Sequence, residues 1–275
     1  MPSRDDPILA PTTSRPRGRT AAVAETIKGW IHERGLVPGD RLPQERELIA
    51  LFRVSRGTMR EALKLLEAQG LVRIRTGPSG GAQVAEPSVE HASELLGNYF
   101  FFKDLTVRDI YAIRKRLEPD LAASVAAVAT DADVRRLLAA MTPYEGPAFG
   151  AQEERRQWIA ELEFHDVLVS MAPNPLLAFG CGFAIRLLKE LAVCRTIYER
   201  PSPELRQRGR LYQLALIDAL RAHDPDTARS VMEAHMRFAE GVMEAEEAVV
   251  RRAFLRARGG TMRGTGGSGG TSRGP

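Results

Sequence analysis

Three cations, Arg56, Arg60 and Lys64, recur at intervals of four in the stretch "VSRGTMREALKLLEAQGLVRI", Val54 to Ile74. On a helix that interval stacks them on one face. Met59, Ala62, Leu63 and Leu66 follow the i, i+3, i+4, i+7 spacing of a buried stripe in a different phase, so the core takes them and the cations turn to solvent. A guanidinium offers a rigid fork of N–H donors that suits paired acceptors such as O6 and N7 of guanine. Each bidentate pair is worth ~1–3 kcal/mol of discrimination against the wrong base. Ser55 and Thr58 stand at the start of the same stretch, and their hydroxyls can donate to phosphate or base edges. Ser55 is also a natural helix cap. The plainer reading of these charges is a solvated face with no partner, and for Lys64 both readings stay open.

The surrounding residues must hold that face in position. Thr20 to Arg34 carries Val23, Ile27, Trp30 and Ile31 on one helical stripe, which "GLVPGDRLP" breaks with two glycines and two prolines. A short helix follows from about Gln44 to Phe52, led by Pro43 where a missing N–H does no harm. Arg53-Val54 makes the turn, and the cationic helix then runs until Gly70 stops it in the left-handed conformation. "LVRIR" and "GAQVA" read as short strands on either side of "TGPSGG", a hairpin tip. Two helices across a tight turn form a helix-turn-helix, and the hairpin adds a wing. In such a motif the second helix enters the major groove with its N-terminal residues at the base edges, which is where Arg56 and Arg60 lie.

Charge is partitioned to match. Residues 1–87 carry 14 Lys+Arg against 10 Asp+Glu, residues 88–250 carry 19 against 25, and the last 25 residues hold 6 basic groups and no acidic one. A basic module ahead of an acidic one suits a polyanion partner for the first and another task for the second. No apolar run approaches the ~18 residues that span a bilayer, and the first residues lack the apolar middle of a signal peptide. The chain reads as cytoplasmic. Cys181 and Cys194 have no metal-ligand spacing and read as reduced core residues.

"LVPGDRLPQERELIALFRVSRGTMREALKLLEAQGLV" closely resembles the N-terminal domain of GntR-family bacterial transcription regulators, over about Ala21 to Val84. The resemblance implies operator contacts by Arg46 in the second helix, by Arg56 and Arg60 in the third, and by Gly80 and Gly81 at the wing tip. A solvated charge is the alternative for Arg46.

Residues 88–250 keep a helical period throughout, with candidate helices at about 88–101, 106–129, 131–141, 151–171, 175–198, 203–222 and 225–250. The fold class is therefore mainly α: a disordered tail over 1–18, a winged helix over 19–87, an all-α bundle over 88–250 and a disordered basic Gly-rich tail over 251–275. A helical effector domain of this length is similar to the FadR-like subfamily, whose bundle dimerises the repressor and binds small organic acids. In that subfamily an acidic residue and three histidines often ligate a divalent metal. The matching positions here are Glu161, His165, Gln213 and His235. Glu161 and His165 share one helical face, and a carboxylate with two imidazoles can hold Zn, Ni or Mn, whereas Gln213 offers only a weak amide oxygen. Any metal is thus expected to be weakly held. The alternative is a buried, hydrogen-bonded quartet. Arg114 matches an arginine that in similar proteins meets a ligand carboxylate, and an ion pair with an acidic neighbour in the bundle is the competing reading.

Asn174, between two prolines, reads as a helix cap, and His32, His91 and His223 read as ordinary polar positions. The run Tyr99, Phe100, Phe101 and Phe102 suits interdomain or dimer packing better than base stacking. Two functions follow: a ligand-responsive DNA-binding regulator that acts as a homodimer on double-stranded operator DNA, with a small carboxylate metabolite as effector, or a metal-dependent enzyme tethered to DNA. No nucleophile motif or phosphate loop supports the second.

Overall fold

The computed structural model describes residues 16–261 apart from 76, 78, 79, 101, 145, 147, 148 and 199–202. The chain divides into two compact units after Tyr99.

The first unit contains α1 (Pro16–Glu33), α2 (Glu45–Phe52), α3 (Arg56–Ala68), β1 (Val72–Arg75) and β2 (Gly81–Val84). The strands pair antiparallel from Val72↔Val84 to Arg75↔Gly81. The loop after α1 covers the other edge of β2: Arg41 bridges Gln83, and Leu42 N donates to Ala82 O at 2.9 Å. All four apolar positions of the cationic helix are buried, and they pack with Val23, Ile27 and Trp30 of α1 and with Leu48 and Phe52 of α2. The ring of Trp30 meets Phe52 edge-on at 6.1 Å. The phase of α3 is therefore the one its sequence dictates.

Turn geometry completes the motif. Arg53 ends α2 at φ 51°, ψ 47°, and its N–H returns to Ile49 O. Gly70 stands at φ 75°, the left-handed stop expected of it. A Cβ on Gly70 would meet Pro87 Cα at 3.3 Å and His91 Cδ2 at 3.2 Å, so a side chain there would crowd both neighbours in a backbone conformation that favours glycine.

The helix α4 (Val89–Phe100) follows. Its residues were expected to open the bundle, with the boundary at Pro87. The division falls after Tyr99 instead, because α4 is tied back to the winged helix: His91 Nε2 lies 3.0 Å from Ala68 O.

The second unit comprises α5 (Val107–Ala126), α6 (Asp131–Met141), a 3-10 turn (Thr142–Tyr144), α7 (Ala151–Val169), α8 (Pro175–Glu190), α9 (Ala192–Tyr198), α10 (Pro203–Arg221) and α11 (Pro225–Thr261). Two Thr-x-x-Asp capping boxes open α5 and α6. Hydrogen bonds from Thr106 and Thr130 hold Asp109 and Asp133 below the usual carboxylate range. Asn174 caps α8, accepting from Leu176 N at 3.0 Å and Leu177 N at 3.2 Å. The central α5 packs along α11 and against α8, α6 lies on α7, and α10 runs beside α11. Cys181 and Cys194 are free and buried, and burial raises both thiols to about 12.

Three sequence boundaries are corrected. The helix expected over 175–198 is broken at Leu191, which is extended at φ −62°, ψ 132°; no glycine or proline marks the place. The last helix continues to Thr261, so residues 251–261 are helical and not part of a tail. At the other end α1 takes in residues 16–18. The expected disorder of 1–15 and 262–275 falls outside the described residues, as do the "RPSP" break after Arg200 and three residues of the wing tip. No described helix is long and apolar enough to cross a membrane.

Candidate DNA interface and bundle cavity

The sequence places Arg56 in the first turn of α3, and the structure exposes it. Its side chain is 77% accessible and that of Arg60 62%, one helical turn further on. Ser55 caps the helix, accepting from Thr58 N at 3.2 Å, and the two hydroxyls lie 2.8 Å apart. Both predicted hydroxyl donors therefore serve the helix start locally. Arg46 is exposed on α2. Lys64 reaches Glu61 at 3.1 Å, an ion pair on the same exposed surface. At the wing, Gly80 N donates to Gly77 O and Gly81 sits at φ 146°. The described DNA-facing candidates thus all belong to α2, α3 and the wing.

Sequence reasoning missed three residues here. Arg41 and Arg75 line a shallow hollow with Gly80 and Gly81, two further cations beside the wing. Glu45, the first residue of α2, accepts from Arg56 Nε on Oε1 and from Arg60 Nε on Oε2, each at 3.2 Å. Nothing in the linear spacing marks that contact, since it spans 11 and 15 residues.

The second cluster is buried. Arg114 and Glu118, one turn apart on α5, are each 1% exposed, and Arg114 donates to both carboxylate oxygens through Nε and Nη2. The Arg114 guanidinium also lies 5.0 Å from the centre of the Tyr111 ring. His165 Nδ1 is 2.8 Å from Glu118 Oε2, close but poorly aligned for a hydrogen bond. Burial alone would raise the Glu118 carboxyl; the charges of Arg114 and then His165 outweigh it and hold the group at about 2. Of the two readings of Arg114, the intrahelical ion pair is therefore the arrangement seen, and Glu118 is the residue the sequence reading did not name. The i, i+4 spacing of opposite charges was its available signal.

Around this pair the structure assembles three of the four predicted metal-site residues. Glu161, His165 and His235 line one small cavity with Arg114, Tyr111 and Trp158. His235 Nε2 is 3.6 Å from Glu161 Oε1, and its ring stacks on Tyr212 at 5.3 Å. Burial lowers the His235 pKa against the pull of Glu161, so its imidazole is neutral near pH 7. Gln213 sits behind the cavity wall: its Oε1 accepts from Tyr144 OH at 2.7 Å, and its Nε2 approaches Glu161 O at 3.5 Å. Gly209 leaves room for the carboxylate, because a Cβ there would collide with Glu161.

As arranged, these side chains are not preassembled as a metal centre. Among the described residues no three His, Cys, Asp or Glu are grouped as metal ligands. Glu118 draws His165 to one side, and Tyr144 engages the Gln213 oxygen. The cavity measures about 10 Å³, room for about one water. A metabolite can enter only if the surrounding helices or side chains give way.

A winged helix that exposes Arg56 and Arg60, joined to a helical unit that buries Arg114 beside a small cavity, is the design of a transcription regulator with separate parts for DNA and ligand. Residues 19–80 match the family of bacterial regulatory proteins, gntR family, and residues 109–238 match the FCD domain. The chain is 33% identical over 221 residues to the HTH-type transcriptional repressor NanR of Cronobacter sakazakii, covering 78% of this chain and 81% of the relative. It is 30% identical over 230 residues to the NanR repressor of Escherichia coli, covering 81% and 84%. Among solved structures it resembles Streptococcus agalactiae GntR, with a TM-score of 0.59 and 23% identity over 81% of this chain and 99% of that one, a likeness of fold alone. The chain belongs to the GntR family of bacterial regulatory proteins, with an FCD domain as its helical unit.

Proposed function

We propose that the chain is a cytoplasmic repressor that binds an inverted-repeat operator as a homodimer and lets go when its bundle takes up a small carboxylate-bearing metabolite. The observation that carries this reading is the exposed Arg56 and Arg60 pair at the N-terminal end of α3. One winged helix reads only a few base pairs, and two-fold pairing doubles the footprint. An apolar groove of about 260 Å³ between α5 and α8, lined by Ile110, Ile113, Leu117, Phe183 and Leu187, supports pairing with a second copy. That the NanR relatives are transcriptional repressors by name supports repression.

In the bundle, an effector carboxylate is read as replacing Glu118 on Arg114, an exchange of one bidentate partner for another. Coupling of that exchange to DNA release is typically worth ~1–3 kcal/mol. The bundle acts as sensor and not as catalyst, and steady turnover of a bound metabolite by the purified chain would overturn that part.

Sedimentation of the protein with a duplex operator tests the whole. We expect two chains per duplex and an affinity that falls by on the order of 10³–10⁵ between 50 and 200 mM salt if 6–10 phosphates are contacted. A monomer on DNA, or a flat salt response, contradicts it.

We read any divalent metal in the cavity as weak and exchangeable. Gln213→His loses the amide that Tyr144 holds, and with its ring turned into the cavity it should raise Zn or Ni affinity, because imidazole is the better ligand for both. Metal titration of the two proteins decides: a stoichiometric ion surviving dialysis in the wild type, or no gain in the variant, refutes the prediction.

A further inference from the structure

We propose that Glu45 sets the sequence specificity of the recognition helix by holding Arg56 and Arg60 in one clasp that favours base edges over phosphates. One carboxylate takes both Nε groups, Arg56 on Oε1 and Arg60 on Oε2, each at 3.2 Å. Engaging a guanidinium through Nε leaves its two Nη groups at the outer end. That end is the pair of donors that matches O6 and N7 of guanine. Glu45 is itself only 32% exposed while the arginines reach into solvent, so the carboxylate lies beneath them and not in the path of DNA.

Charge reinforces the geometry. Two guanidiniums and one carboxylate carry a net charge of only one, and a phosphate approaching either Nη end also meets the field of Glu45. Base-edge acceptors are neutral and bear less of that repulsion. Holding two long side chains in their binding posture also removes part of the ordering cost of association. Exposed ion pairs of this kind contribute little to folding, so the effect belongs to DNA selection and not to stability.

The competing account is that Glu45 is simply an acid in the first turn of α2, where the helix dipole favours it. Glu47 already serves that end, accepting from Gln44 N at 2.8 Å. The two accounts differ in whether Glu45 acts through the arginines.

The test uses the full chain, an operator duplex recovered by selection from random DNA, and a scrambled duplex of the same length. With Glu45→Gln we expect binding to the scrambled duplex to tighten several-fold, with a salt slope steeper by about one. The ratio of operator to scrambled affinity should fall at least tenfold. In an Arg60→Ala background, which keeps one of the two clasped arginines, the same substitution should lower the ratio less than it does in the wild type. An unchanged ratio in the single variant, or an equal drop in the Arg60→Ala background, overturns the proposal. Should Glu45→Gln fail to fold, Glu45→Asp carries the test: the acid stays at the helix start but is one methylene short, and a wild-type ratio there overturns the proposal equally. The inference rests on α3 reading DNA. If the wild type selects no sequence at all, that reading fails; an unchanged ratio in the variant removes only the clasp.

Discussion

Replacing Glu118 by Ala is expected to cost the bundle about 3–5 kcal/mol, the usual consequence of removing one partner from a buried ion pair. Arg114 would keep its charge at 1% exposure without its bidentate partner, and the one other carboxylate in the cavity, Glu161, already faces His235. Changing both members together, as Arg114→Met with Glu118→Leu, should cost much less, since an apolar pair of similar volume needs no compensation. Urea unfolding followed by Trp158 fluorescence in a Trp30→Phe background, where Trp158 of the same cavity is the remaining tryptophan, reads the bundle directly. A single variant as stable as wild type, or a double variant as damaged as the single, would show that the pair is not what holds this part of the core. The same comparison bears on ligand sensing. If effector binding survives in the double variant, Arg114 is not its anchor.

The second large effect concerns DNA. Arg56→Ala with Arg60→Ala should bring operator affinity down to the level of non-specific DNA, a loss of roughly 2–6 kcal/mol if each arginine makes one bidentate base contact worth ~1–3 kcal/mol. The fold should be unaffected, because both side chains are largely in solvent. Leu63→Ala, one turn on from Met59 in the buried stripe of the same helix and only 6% exposed, should instead destabilise the unit by ~2–5 kcal/mol. Footprinting and thermal melting of the three proteins separate the two roles. Protection of the same operator at the same concentration by the double variant would mean that α3 does not read the groove.

What was legible in the sequence was local. The period of Met59, Ala62, Leu63 and Leu66 named the buried face of α3, and all four are buried. Gly70, Asn174 and the break before α6 announced themselves through backbone conformation and capping, which depend on neighbours a few residues away. What was not legible depends on contacts across the chain. Tyr144 meets Gln213 from 69 residues away, turning a presumed ligand position into part of a wall. Glu45 reaches α3 from the neighbouring helix, and α4 joins the first unit through His91. The break at Leu191 has no local breaker and was read through as helix. In the bundle cavity the sequence supplied the right residues, Arg114, Glu161, His165 and His235, and could not say which of them already had partners. Their distances to Glu118 and Tyr144 decide that.

The central claim is that the exposed face of α3 reads DNA sequence in a two-fold arrangement. Selection of bound duplexes from a random library by the full chain, followed by sequencing, tests it most directly. The account predicts an enriched inverted repeat with guanine at fixed positions in each half-site, and loss of that enrichment in the Arg56→Ala, Arg60→Ala variant. Enrichment of no motif, or of the same motif by wild type and variant alike, would contradict it.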